Sequence, residues 1–578
     1  MKQHYKILIE NRQYTSWTFL DPSTNMKIVD APELQRINPI EHKLFSRDVF
    51  TMSTTNDQPK LELINSFISS SPYFAGILQL ENNKTFGRTA NHKRLLYKCV
   101  PDDKHLPTFL IPYDVKIGFS KLQTNKFVIF KYDQWNDKHP HGILVETIGD
   151  VDNLEAFYEY QLYCKSLHVS ITQFNNKTRD ILNKKTADEY VDQIFRNPDY
   201  HIEDRRNDYV FTIDPLNSLD FDDGFGIQPL NCGGYKISIY IANVYFWLET
   251  LGLWNTFSKR VATIYLPDKR RPMLPTILSD TLCSLQQNEP RFALAMDIIV
   301  DSQLNITDVK YVNVIIKVNK NYEYENPKMI SKDNYYKQLL EVTQKLDPSV
   351  ENSHDLVAYW MIFMNSRTGE YMANHKIGIF RSANYIQSNL QNLKSYGIDN
   401  ETTRIINSWN NVSGQYVLYH ENANLQHELM GGKIYAQITS PIRRIIDLLN
   451  LIIISQHLCI IEHPSEETNG FLDNWMREID FINNSMRSIR KIQTDCDVLN
   501  RCFHNPEIME NIYSGILFDK IKKRDDKFSY MVYIKEIKLL TRFVSFAEYE
   551  NYMKQPFKLY LFEDEETTRK KIRLQIVE

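Results

Sequence analysis

Residues 208–227 read DYVFTIDPLNSLDFDDGFGI, and this stretch decides how the chain is read. A strand-like run ends at Asp214, and Asp220, Asp222 and Asp223 follow within ten residues. Carboxylates this close repel, by about 1 kcal/mol per pair at 4 Å in bulk water and by more where water is excluded. Either the cluster is a well-solvated acidic turn, or cations bind between the carboxylates, whose hard oxygens suit Mg²⁺ or Mn²⁺. A calcium loop of the EF-hand kind starting at Asp220 fails, because Gly224, Phe225 and Asn231 stand where an Asp or Asn, a Gly and a Glu are needed. A phosphoryl-transfer site uses metals to activate water and wants a fixed cation, usually arginine, for the developing charge. The cluster alone leaves the solvated turn and the phosphoryl-transfer site both open.

Outward from that stretch, 578 residues correspond to about four domains of roughly 150 residues each. Hydrophobic residues make up 42% of the chain, which excludes a mainly disordered protein. The net charge of −4 offers no global basic field, although a local cleft can still attract nucleic acid. Seven cysteines without a CxxC pair argue against a disulfide framework or structural zinc, and the grouping Cys496, Cys502, His504 fits no zinc spacing. The start, MKQHYKILIE, lacks the apolar core of a secretory signal. The apolar run Ile445–Ile461 is interrupted by Asp447, Asn450, Gln456 and His457, so a buried helix is expected rather than a membrane span. The expectation is a soluble, intracellular, cytoplasmic protein without a membrane partner.

The first 45 residues show no usable pattern and stay unassigned. β-branched and aromatic runs between about Gly76 and Thr172 predict small antiparallel domains: an abbreviated one over 46–100 and a second over 101–180. A large body over 181–500 opens with strands and turns helical, with three- and four-residue apolar spacing after His354, Ser440 and Asp480. Residues 501–578 return to strand-like runs. The fold class is α+β.

Further motifs follow in order: YLPDKRRPMLPTILSDTLCSL (Tyr265–Leu285), YAQITSPIRRIIDLL (Tyr435–Leu449), and upstream VPDDKHLP and HPHGILVETIGD after Trp135. With TIDPLNSLDFDD, they closely resemble the RNase II / RNase R exoribonucleases (the RNB domain), on the pattern of the eukaryotic exosome catalytic subunit without its N-terminal endonuclease domain. The resemblance implies an RNB catalytic domain flanked by OB-fold β-barrels, cold-shock-type before it and a C-terminal one after it. It implies hydrolytic 3′-to-5′ removal of nucleoside 5′-monophosphates from single-stranded RNA. Asp214, Asp220 and Asp223 would be metal ligands for Mg²⁺, with Mn²⁺ as the alternative. Asp222 and Arg443 would be catalytic, Arg443 also meeting the RNA at the scissile phosphate. Pro441 suits a first helical turn, which would place Arg443 at a helix start; a surface ion pair there is the plainer alternative. Partners would be single-stranded RNA and either a larger RNA-processing complex or none.

Several positions depart from the family. Tyr240 and Asn243 stand for a histidine and an aspartate, Leu451 and Ile452 for a His-Arg pair, and Tyr359 for a glutamate that holds the terminal nucleotide. Tyr359 is therefore expected to contact RNA by stacking or by its hydroxyl. Tyr324 is expected against the terminal base, with Tyr322 as an alternative. Arg487, Arg490 and Lys491 form a solvated helical face or line the RNA path. Two rivals remain: a catalytically silent RNA-binding or scaffold protein of the same fold, and an exonuclease restricted to short oligonucleotides.

Overall fold

The computed structural model describes residues 3–577 except 29–30, 56–57, 82–83, 90–92, 116–122, 232, 383–395, 400, 404, 407–408, 410–413, 422, 428–432, 524–525 and 565–569. Its first unit is a four-stranded antiparallel sheet in the order Trp17–Leu20, His4–Ile9, Val49–Thr55, Gln58–Asn65. Alternation builds it: Tyr5, Ile7 and Ile9 turn inward while His4 is exposed. Its core is shared with the next unit, where Phe45 stacks on Phe109 at 6.1 Å.

That next unit is a closed five-stranded barrel of Phe74–Leu78, Leu95–Pro101, Phe109–Tyr113, Lys126–Gln134 and His141–Asp150. The first strand pairs with the second and fourth, and the third runs parallel to the fifth. This is the OB-type arrangement. At Gly149 a Cβ would lie 2.7 Å from the Cβ of Ala156, so glycine is what lets the helix Leu154–Cys164 close over the barrel.

These pairings correct the expected division of the N-terminal half. Residues before 46 are not a separate region, because His4–Ile9 pairs with Val49–Thr55. The boundary expected between 100 and 101 falls inside the barrel's second strand, Leu95–Pro101. Pairing between distant strands depends on which apolar faces meet, and local composition carries no trace of that.

The central sheet has seven strands in the order Glu203–Arg205, Ile306–Lys317, Pro290–Val300, Tyr235–Ala242, Asp223–Pro229, Phe211–Asp214, Lys320–Glu323. The four middle strands are antiparallel and carry the main core. The helices Ser353–Asn374, Ile445–His457, Glu466–Arg477 and Ile479–His504 contribute residues to the same core. Ile445–His457 is buried from Ile445 through Ile452 without a break, as its apolar sequence predicts. No helix among the described residues is long and apolar enough to cross a membrane.

The C-terminal unit is an antiparallel five-stranded sheet of Ile512–Lys522, Phe528–Ile534, Leu539–Ser545, Lys554–Glu563 and Lys570–Ile576. Its first strand lies between the second and fourth, the OB order again. The helix Ile479–His504 runs through the boundary expected at 500 and carries the chain into this unit. The architecture is the α+β one expected, a mixed central domain with OB-type β-units before and after it.

Candidate active site

The acidic stretch folds as the connection between two neighbouring strands. Phe211–Asp214 and Asp223–Pro229 are antiparallel with Phe211 opposite Phe225, so both strands end at the intervening loop with their aspartates. The LCSL segment straps this loop down. The buried Ser284 hydroxyl donates to Leu219 O at 2.7 Å and accepts from Phe221 N at 3.0 Å, and Leu285 N donates to Phe221 O. Together these elements wall a cleft of about 630 Å³ that brings Asp214, Asp220, Asp222, Asp223, Arg443 and Tyr324 to one place.

The four carboxylates are not equivalent. Asp222 is 2% exposed; its Oδ1 accepts from Ile442 N at 2.9 Å and its Oδ2 from Arg443 Nε at 2.8 Å. Burial pushes its carboxyl up to about 7 even against the guanidinium and that N–H. Asp220 is engaged too, by the Tyr265 hydroxyl at 3.0 Å and by Arg270 Nη1 at 3.0 Å. Asp214 and Asp223, each 9% exposed, both keep a buried Oδ2 without a hydrogen-bond partner. Burial drives Asp223 up to about 6, and Asp214 is raised well above the ordinary range by burial and then by Asp223. Two adjacent buried carboxylates with unsatisfied oxygens, short of compensating protons, are a donor set for a hard divalent cation. Asp214 and Asp223 therefore fit Mg²⁺ or Mn²⁺. Elsewhere, Asp199, Glu462 and His463 place ligand atoms within 4.8 Å of one another, and no three aspartates of the cleft form such a triplet among the described residues.

Arg443 stands in the turn before the helix, not in its first turn. The helix begins at Ile445 with Arg444 as its N-cap, because Asp447 accepts from Ser440 N and from Arg444 Nη2, both at 2.8 Å, and so fixes the Ser440–Arg444 turn. Arg443 also donates from Nη2 to Ser440 Oγ at 2.9 Å, and 42% of its side chain stays exposed at the cleft. The opposite wall is the helix Ser353–Asn374, which presents Val357, Met361 and Asn365. Asn365 fixes the segment leading to Arg443: its Oδ1 accepts from Ile438 N at 2.9 Å and its Nδ2 donates to the Tyr435 hydroxyl at 2.9 Å.

Tyr324 donates its backbone N–H to Asp214 O at 3.1 Å and stacks on His354 with ring centroids 3.8 Å apart and planes 7° from parallel. Tyr322 is excluded from this role, because its hydroxyl binds Asp333 at 2.8 Å and it does not line the cleft. Tyr359 does not line the cleft either, contrary to expectation. A helix turns about 100° per residue, so a residue two on from Val357 points to nearly the opposite face. There Tyr359 packs edge-on against Trp360, 5.0 Å between centroids, and the Trp360 indole donates to Thr343. Tyr240 and Asn243 are buried, and Asn243 Nδ2 donates to Asn313 Oδ1 at 3.2 Å. Cys496 and Cys502 are buried free thiols. Sequence reasoning missed Tyr265, Arg270 and Asn365; an asparagine directly after the apolar run Leu356–Met364 is the available signal for the last.

A second groove, of about 920 Å³, runs between the helix Ile479–His504 and the C-terminal sheet, with Arg487, Arg490, Lys491, Lys571 and Arg573 on its walls. Burial, with Arg381 and Arg487 nearby, pushes Arg490 down to about 10. Arg381 donates to the Tyr416 hydroxyl at 3.0 Å, and that hydroxyl donates to Gln437 of the cleft at 2.5 Å.

Residues 202–347 match the RNB domain, so the chain carries one. DIS3-like exonuclease 2 of Schizosaccharomyces pombe is 28% identical over 208 residues, 34% of this chain and 22% of that protein. The matched region spans about a quarter of the length of the curated relatives that head the comparison. RNase R of Mycoplasma genitalium, free and in complex with ribose-methylated single-stranded RNA, superposes with TM-scores of 0.66 and 0.65 at 16% identity, over 99% of this chain and all of that one. Yeast Ssd1, described as a pseudonuclease, gives 0.55 at 13% identity over 96% of this chain and 80% of its own.

Proposed function

We propose that this RNB-domain chain is a metal-dependent exoribonuclease that hydrolyses single-stranded RNA from the 3′ end to nucleoside 5′-monophosphates. The observation that carries this reading is the pair of unpartnered buried oxygens on Asp214 and Asp223, next to an arginine held by a third carboxylate. Asp214 and Asp223 would hold Mg²⁺ or Mn²⁺, which supplies an acidified water and stabilisation of the leaving oxygen. Arg443, fixed through Nε by Asp222, turns its exposed edge to the phosphate and meets the charge that builds on its oxygens. Asp222, buried with one oxygen on Ile442 N and the other on Arg443 Nε, would act by holding that arginine toward the phosphate. The water oxygen bonds to phosphorus and gives up its proton to solvent, the P–O3′ bond breaks, and the departing 3′ oxygen takes a proton from solvent. Tyr324, already stacked on His354, offers an aromatic surface to the terminal base. The cationic groove of the C-terminal unit suits the RNA backbone leading inward.

The test is a 5′-labelled single-stranded RNA of about 30 nucleotides, long enough to span several OB sites, incubated with Mg²⁺, with EDTA, and with Asp222→Asn. Collapse to a few short labelled products, lost with EDTA and in the variant, is the expected result. RNA that stays intact with Mg²⁺ and Mn²⁺ yet shifts in a gel would make the chain an RNA-binding protein without hydrolysis.

A further inference from the structure

Both oxygens of Asp220 are taken by one short hairpin. Ile264–Tyr265 pairs with Arg270–Arg271, with Tyr265 directly opposite Arg270. These cross-strand neighbours reach the same carboxylate, the Tyr265 hydroxyl at Oδ2 and Arg270 Nη1 at Oδ1, each at 3.0 Å. The other amino group of Arg270 is held by Asp280, so the guanidinium is clamped between two carboxylates at the edge of the cleft. Arg271 points to the other side, to Asp268 and Glu159, as the alternation of a strand requires. The sequence KRR thus gives one arginine to the scaffold and one to the site.

These existing contacts bear on how much metal the cleft can take. Arg443 is paired with Asp222, and Arg270 is shared between Asp220 and Asp280. Asp214 and Asp223 are left, and their two charges match a single divalent ion. An ion in direct contact with Asp220 would have to evict a guanidinium held from two sides, or lie against it as a like charge in a largely buried space.

Resting on the metal-dependent reading above, we propose that Arg270 is a resident cation of the cleft. It fills the coordination position at Asp220, so the protein loads one divalent ion, at Asp214 and Asp223, and Asp220 is a positioning residue for Arg270 and Tyr265 instead of a ligand.

The probe is Mn²⁺ alone, titrated into the full chain and followed by electron paramagnetic resonance, which counts free Mn²⁺ and broadens when two ions are neighbours. Occupancy of the cleft is the difference from an Asp214→Asn/Asp223→Asn double variant. Wild type is expected to hold one ion, and Asp220→Asn to keep it. Arg270→Met, which retains the stem without the charge, is expected to gain a second ion with a broadened spectrum; adding Asp220→Asn returns it to one, and Arg270→Lys stays at one. Two ions in wild type with one lost in Asp220→Asn, or one ion in folded Arg270→Met, overturns the proposal and leaves the metal-dependent reading standing. No Mn²⁺ in the wild-type cleft overturns both. The Asp220→Asn arm decides the matter even where Arg270→Met fails to fold.

Discussion

Asp220 and Asp222 differ from Asp214 and Asp223 in one respect that matters chemically. The first two have their oxygens occupied by arginine, tyrosine and backbone donors of this chain. The second two, at the facing ends of neighbouring strands, keep buried oxygens that no protein donor reaches. A buried carboxylate without a partner is costly. The contrast therefore separates groups that organise the site from groups that wait for an ion. Four aspartates that look alike in sequence divide into two whose oxygens the protein engages and two that each keep an unpartnered buried oxygen.

The largest expected effect breaks the ligating half. Asp214→Asn or Asp223→Asn should abolish Mn²⁺ uptake by the cleft and cost several kcal/mol of transition-state stabilisation, about a thousandfold or more in turnover. Asp222→Asn should be as severe in turnover yet keep the ion, and calorimetric Mn²⁺ titration beside an RNA hydrolysis assay distinguishes the two. Next comes the scaffolded cation: Arg443→Lys, a point charge without the fork that Asp222 grips, should lower kcat by about a hundredfold with Mn²⁺ affinity unchanged.

Tyr324→Ala removes a stacking surface worth about 1–3 kcal/mol per base, so RNA should be held about ten- to a hundredfold less tightly, read as a change in KM. Tyr359→Phe, on the far face of the helix, should leave KM and kcat within about twofold, since surface-type changes away from the site are usually small.

The smallest effect concerns pH. Asp222 and Asp223 have folded-state values raised to about 7 and about 6 by burial. A raised carboxylate contributes most to stability below its unfolded value near 4 and loses that contribution as pH climbs through its folded value. The metal-free protein should thus lose melting temperature between about pH 4 and 7 on account of this site. Mn²⁺, which needs the ionised carboxylates, should raise the melting temperature more at pH 8 than at pH 5.

Much of this site is legible in the sequence because its parts are local. Asp214 to Asp223 fall in one stretch, and Arg443 is flagged by its Ser-Pro context. The helix Ile445–His457 is legible too, because its apolar composition leaves it nowhere to go but the core. What escapes is long-range. That Asp220 is answered by Arg270, 50 residues on, depends on a hairpin of two-residue strands. That Tyr359 faces away depends on which side of its helix meets the cleft, and the run Leu356–Met364, apolar throughout, has no period that marks it. The N-terminal sheet escapes because a long connection separates Trp17–Leu20 from Val49–Thr55, and the pairing of His4–Ile9 with the latter is matched only in three dimensions. Composition placed β-domains on either side of the body but could not say which strands close into a barrel.

The most direct test of the central claim, that unpartnered Asp214 and Asp223 support metal-driven hydrolysis at phosphorus, is to digest single-stranded RNA with Mg²⁺ in ¹⁸O-enriched water and analyse the small products by mass spectrometry. Nucleoside 5′-monophosphates carrying one ¹⁸O on phosphorus, formed by wild type and absent with Asp223→Asn, are the predicted result. Intact RNA, or products ending in a 3′-phosphate, would contradict it.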